Sequence, residues 1–221
     1  MVLRERAKAW KTKITDAAIA ENAESVWNFL EKCGWAGPKF ELVMNDMIQR
    51  LKESDHTTFH MGLEALGKTL GAHAIRPTVQ GAPDVIWSFG TAEFHIAWEA
   101  KTEKKSDGIL WKKDTLEAKG HLDWVRKELC PNADKPEITV AVVSPTAQVD
   151  TAGKYHIDGL FYVAPEEILM LAADTIEKLR NLRLKYGAKE YSECVNDFAS
   201  DLKINGMDLD SIRKRVLKKP L

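Results

Sequence analysis

The chain has 221 residues, 44% of them hydrophobic, and its 32 Lys and Arg against 33 Asp and Glu leave a formal net charge of −1. That length can bury a sizeable core, as one domain or as a core with a small appendage, and the near-neutral charge excludes a globally polycationic surface, so any nucleic-acid contact must be local and balanced by acidic patches elsewhere. Cys33, Cys130 and Cys194 are odd in number and far apart, which fits neither a disulfide scaffold nor zinc spacing and implies reduced, buried thiols. No apolar run approaches the roughly 18 residues that cross a bilayer, and the start lacks the hydrophobic segment of a secretory signal. A soluble, cytoplasmic protein with no membrane partner is expected.

Residues 1–33 read as helical, with Arg4, Arg6, Lys8, Lys11 and Lys13 gathered at the start and Val26, Phe29 and Leu30 later. The basic start can contact phosphates, although a charge run is usually a solvated face. Gly34 and the pair Gly37-Pro38 end the segment. A second helix over 40–51 presents Leu42, Val43, Met47, Ile48 and Leu51. Ser54 or Asp55 can cap a third helix, which runs to Gly71 with Phe59, Leu63, Leu66 and Leu70 at helical spacing. His56, His60 and Glu64 lie four apart on one face of it. The spacing suits a metal or a phosphate, but histidines on a half-exposed face are more often ordinary surface residues and His-Glu-x-x-His is absent. Glu64 is kept as a candidate and the histidines are not.

After a strand over 72–79 interrupted by Pro77, Gln80-Gly81-Ala82 turns into the central stretch of the chain. Residues 84–89 are nearly all apolar and β-prone, Gly90 breaks the run, and a second run over 93–101 alternates. Phe94, Ile96 and Trp98 fall on one face; Glu93, His95, Ala97, Glu99 and Lys101 fall on the other. A hairpin closed near Gly90 returns Asp84 to the side of Glu99. Two unit charges about 4 Å apart repel by roughly 4 kcal/mol at an effective dielectric of ~20. Close carboxylates therefore share a proton or bind a cation. Asp84, Glu99 and a backbone carbonyl are oxygen ligands, which suit Mg²⁺ better than zinc.

A polar loop over 102–108 comes next, then Ile109-Leu110-Trp111 and a helix over 115–129 whose Ala118, Leu122, Val125 and Leu129 face inward. Lys104, Lys105, Lys112 and Lys113, with an adjacent aromatic, are candidates for contact with a phosphate backbone or a base. Lys119 and His121 can project toward the active corner. Residues 137–144 form a strand rich in Ile and Val, residues 159–163 another, and Pro165 opens a long helix with Ile168, Ala172, Ile176, Leu179 and Leu182 buried. The tail beyond Gly187 reads as polar and helical, ending in Arg213, Lys214, Arg215, Lys218 and Lys219.

Pro83-Asp84, then Glu99-Ala100-Lys101 at the end of an apolar strand, resembles the PD-(D/E)XK motif of restriction-endonuclease-like nucleases. Glu-x-Lys alone is weak, since it recurs at Glu103–Lys105 and Glu117–Lys119; only Glu99–Lys101 ends an apolar strand preceded by a Pro-Asp strand start. The resemblance covers 55–165. It implies an α/β fold with an αβββαβ core, a mixed central sheet flanked by helices, an N-terminal helical elaboration over 1–54 and a C-terminal helical segment over 166–221. It also supplies a reason for Glu64, because many members carry a glutamate on the helix before the sheet. The Gln-x-x-x-Tyr signature of the exonuclease-type branch is missing after Lys101.

The resemblance implies a DNA endonuclease in which Asp84 and Glu99, helped by Glu64, hold Mg²⁺, with Mn²⁺ as a substitute. Lys101 orients a water, helps deprotonate it or stabilises the phosphate. Restriction, repair and helicase-associated defence enzymes share such a core, so a homodimer, or a helicase or other targeting partner, is in keeping with it. The alternative is a non-catalytic DNA-binding or scaffold subunit of the same fold. Such a module would ordinarily lack an acid or the lysine, and here all four residues stand.

Overall fold

Alternation along the central hairpin fixes the layers of the protein. The computed structural model describes residues 16–90, 94–131 and 136–221; the basic start (Arg4 to Lys13) and Glu93 lie outside them. Strand β2 (Val85–Phe89) pairs antiparallel with β3 (Phe94–Ala100), with Val85 opposite Trp98 and Phe89 opposite Phe94. Val85, Trp87, Phe89, Ile96, Trp98 and Ala100 join one hydrophobic cluster and Ile86 and Ala97 join another. The period of two thus divides the pair between two cores.

Four further strands complete a six-stranded mixed sheet in the order β1-β2-β3-β4-β5-β6. β1 (His73–Ile75) runs antiparallel to β2, while β4 (Glu137–Val143) and β5 (Leu160–Val163) extend the sheet in parallel from β3. The first strand is shorter than the predicted 72–79 and stops two residues before Pro77, which has no N–H for the ladder. The C-terminal segment also departs from the helical expectation. Its end forms β6 (Lys219–Pro220), antiparallel to β5, and the Leu221 N–H donates to the Leu160 carbonyl at 3.0 Å.

One face of the sheet carries the thick helical layer: α1 (Asp16–Cys33), α2 (Lys39–Lys52), α3 (His56–Thr69), α5 (Pro165–Tyr186), α6 (Tyr191–Ile204) and α7 (Leu209–Val216). Asp55 caps α3 by accepting from the Thr58 N–H at 2.8 Å. The seating of α3 on the sheet is specific. The Trp87 indole N–H donates to the Leu63 carbonyl at 3.0 Å, and a Cβ on Gly67 would collide with the same indole ring. Only glycine lets the helix lie this close, and the close approach carries the first turns of α3 to the Asp84 end of β2.

The opposite face is covered by α4 (Lys112–Glu128), which buries Ala118 and Val125 against Ile86, Ala97, Val140 and Val142. This helix begins three residues before the predicted start at Thr115. Asp114 explains the difference: its Oδ2 accepts from the Trp111 N–H at 2.8 Å and satisfies a donor at the first turn. Lys112 and Lys113 are therefore helical rather than part of the loop. No helix of the described residues is long and apolar enough to cross a membrane.

Candidate active site

Asp84 stands just before β2, and its N–H donates to the Trp98 carbonyl at 3.0 Å, which continues the antiparallel ladder and sets it opposite Glu99. Its Oδ2 accepts from the Ala100 N–H at 2.8 Å. On the other side of β3 the Lys101 N–H donates to the Val143 carbonyl at 2.8 Å, so the ladder with β4 continues one residue past Ala100. Glu99 and Lys101 consequently project together. Lys101 Nζ lies 2.5 Å from Glu99 Oε1 and 2.9 Å from Glu117 Oε2, while Glu99 Oε2 lies 2.5 Å from His121 Nε2. From the helical layer, His60 brings Nε2 to 3.4 Å from Asp84 Oδ2. Asp84, Glu99, Lys101, Glu117 and His60 line a cavity of about 420 Å³ whose rim includes Asp55, His56 and Glu103.

Burial and charge act on each group differently. Burial, then the Glu99 charge, push Asp84 up to about 6, with only partial relief from the Ala100 N–H and Lys101. Burial also pushes Glu99 upward, but the hydrogen bond from His121 and the Lys101 charge outweigh it and hold the carboxyl below its ordinary range. For Lys101 burial works against the charged form, and Glu99 and Glu117 together more than reverse this, leaving the ammonium harder to deprotonate than usual. His60 is pushed down to about 4 by burial and by neighbouring His56. The corner thus holds a firm carboxylate, a firm ammonium, a neutral imidazole and one carboxyl that titrates near neutrality.

No family model matches the chain, and no curated protein matches it. Among solved structures it is similar to the small subunit of a heterodimeric restriction endonuclease, at 13% identity and a TM-score of 0.42, over 73% of this chain and 98% of that one. A likeness at that level is a loose one in fold and says nothing about activity. Chemistry is therefore read from the residues of the corner.

Of the predicted site residues, Asp84, Glu99, Lys101 and His121 come together. Glu64 does not join them: it bonds Lys68 Nζ at 2.5 Å and Arg76 Nε at 2.7 Å, which keep it ionised against the effect of burial. The residue of that helical face that reaches the corner is His60, one turn earlier. Lys104 pairs with the buried Asp114 at 2.9 Å, and Lys119 bonds the Asp158 carbonyl, so both cations hold the fold together around α4. Lys105, Lys112 and Lys113 are exposed. His121 is 1% exposed and lies behind Glu99, on the side away from solvent. Glu117 is hidden in the sequence as part of a third Glu-x-Lys; its spacing of four from His121 on one helical face is the signal that could find it.

A cation can be held by oxygens of Asp84 and Glu99. Among the described residues no three His, Cys, Asp or Glu side chains form a ready cage. The donor set nevertheless fits a hard divalent ion that keeps several waters. Burial and then the Glu99 charge raise Asp84, such an ion would offset the charge of the pair, and the buried His60 Nε2 has no hydrogen-bond partner among the described residues.

Proposed function

We propose that the protein is a metal-dependent endonuclease that hydrolyses phosphodiester bonds of DNA at the corner of Asp84, Glu99 and Lys101. The observation that carries this reading is the pairing register, which sets Asp84 opposite Glu99 with Lys101 two residues on, inside one open cavity. Asp84 and Glu99 would hold Mg²⁺ or Mn²⁺. When bound, that ion lowers the pKa of water and offsets charge developing on the phosphate. Lys101, kept protonated by its carboxylate neighbours, stabilises negative charge on the phosphate and is not the base that takes the proton of the water. His60, neutral at physiological pH, faces Asp84 from the helical layer.

The test is cleavage of linear, supercoiled, single-stranded and branched DNA and of RNA with Mg²⁺ or Mn²⁺, comparing wild type with Asp84→Ala and Lys101→Ala. Metal-dependent cutting of DNA that falls at least about 100-fold in both variants is the expected outcome. Cutting that survives in both places the chemistry elsewhere. A second reading, a non-catalytic DNA-binding or scaffold subunit, is favoured by the saturation of Lys101 between Glu99 and Glu117. Metal binding that depends on Asp84 and Glu99, with no cutting of any substrate, would select it.

A further inference from the structure

We infer that His121 is a positioning residue for Glu99, fixing which oxygen of that carboxylate faces the cation; the inference rests on the metal-dependent reading above. The pattern of α4 makes the histidine conspicuous. Ala118 and Val125, three residues before and four after, are fully buried against the sheet, so position 121 belongs to the same inward face and calls for an apolar side chain. A histidine stands there at 1% exposure, 2.5 Å from a carboxylate that is itself 3% exposed. Its second nitrogen, Nδ1, has no hydrogen-bond partner among the described residues. A buried ring satisfied at one nitrogen alone is a poorer packing element than leucine or phenylalanine. Packing therefore does not account for it, and the bond to Glu99 does.

The consequence for Glu99 is geometric. Nε2–H donates to Oε2, which removes one oxygen from competition and stops rotation of the carboxylate. Only Oε1, now facing Lys101, is left toward the cavity. A ligand oxygen anchored in this way from behind binds a cation without first losing rotamer freedom. Loss of such a support typically weakens metal binding by about 10–100-fold. His121 is not one of the residues that line the cavity, and its bond to the site is the one to Glu99, so it acts through Glu99.

The experiment titrates the full chain with Mn²⁺ without nucleic acid, following free Mn²⁺ by electron paramagnetic resonance, for wild type, His121→Phe and His121→Gln. Near-UV circular dichroism verifies packing in each. Phenylalanine keeps a flat ring, slightly larger than imidazole, and loses the donor; glutamine keeps a donor at similar reach. The expected result is about a 10–100-fold weaker affinity in His121→Phe, with most of it recovered in His121→Gln. The Mn²⁺ concentration for half-maximal cleavage should rise by the same factor. Phenylalanine binding Mn²⁺ as tightly as wild type, or glutamine and phenylalanine weakening it equally, overturns the inference alone. A wild-type protein that binds no Mn²⁺ overturns it together with the function on which it rests.

Discussion

Asp84 is the residue at which fold and chemistry conflict most. Its carboxyl is raised from 3.8 to about 6 by burial and by Glu99. An acid whose pKa is higher folded than unfolded takes up protons on folding, so its contribution to stability is complete below 3.8 and is lost as pH rises toward 6. At pH 7.5 the ionised group destabilises the fold by at most about 3 kcal/mol. Asp84→Asn, which keeps an acceptor for the Ala100 N–H, should therefore raise stability at pH 7.5. Urea unfolding from pH 3.5 to 8 checks this: the gain should shrink as pH falls and vanish near 3.8, and a gain independent of pH would mean that ionisation of the buried carboxyl is not its cause. The pairing of Asp84 with Glu99 was legible in the sequence, because a period of two and a single turn leave few registers. The choice between His60 and Glu64 was not. They share a helical face, and which one meets the sheet depends on the contact of Gly67 with Trp87, between residues twenty apart that no local pattern connects. The inward direction of His121 was legible from the spacing of Ala118 and Val125, but its bond to Glu99 was not, since nothing local to α4 says which strand residue it meets.

Helix α4 acts on the site as a unit. Glu117 and His121, four apart and so on one face, meet Lys101 and Glu99, two apart and so on one face of β3; the two periodicities match because α4 packs across β3 and β4. The two contacts differ in kind. His121 is sealed in the core, whereas the Glu117 side chain is 54% exposed and its ion pair is worth under about 1 kcal/mol of stability. Its larger effect is electrostatic, as a negative charge beside the ammonium that, on the proposed function, a phosphate would approach. Glu117→Gln should leave the urea midpoint nearly unchanged and lower the KM for DNA about two- to fivefold at low salt, with the advantage fading at higher salt. Steady-state cleavage at about 50 and about 300 mM salt measures it. A KM unmoved at low salt would mean that substrate does not approach Lys101 from the α4 side.

At the scale of the whole molecule, part of the near-balance of charge that the composition states is realised as local ion pairs around the site. Lys101, Lys104 and Lys119, which flank the site in sequence, each engage an acceptor within the protein, and the exposed cations nearby are Lys105, Lys112 and Lys113. The strand and helix order of the central segment was readable because hydrophobic period changes sharply there. The role of the outer segments was not, since their amphipathic helices match packing on a core, on a second copy or on another protein equally well. In the structure they share one hydrophobic cluster with the sheet: Trp27 and Phe40 from the first segment, Trp87 and Trp98 from the hairpin, and Leu179 and Phe198 from the last.

That shared cluster makes a prediction about the segment 55–165 taken alone. α2 packs so closely on α3 that a Cβ on Gly62 would come within 2.9 Å of Leu51, and α3 in turn covers the hairpin through Leu63 and Trp87. Removing residues 1–54 and 166–221 exposes Phe59, Leu63 and Leu66 and much of the tryptophan face of the sheet, each large side chain forfeiting about 1.5–3 kcal/mol. A handful of such losses equals the whole stability of a typical domain, about 5–15 kcal/mol. The segment would also lose β6 from the edge of β5 and the ion pair of Arg213 with Glu137. The expected outcome is that the full chain unfolds in one calorimetric transition while the isolated segment shows none and exchanges its β3 amides without protection. A segment that melts cooperatively by itself would show that the outer helices are additions to an independent core, and the candidate site could then be studied without them.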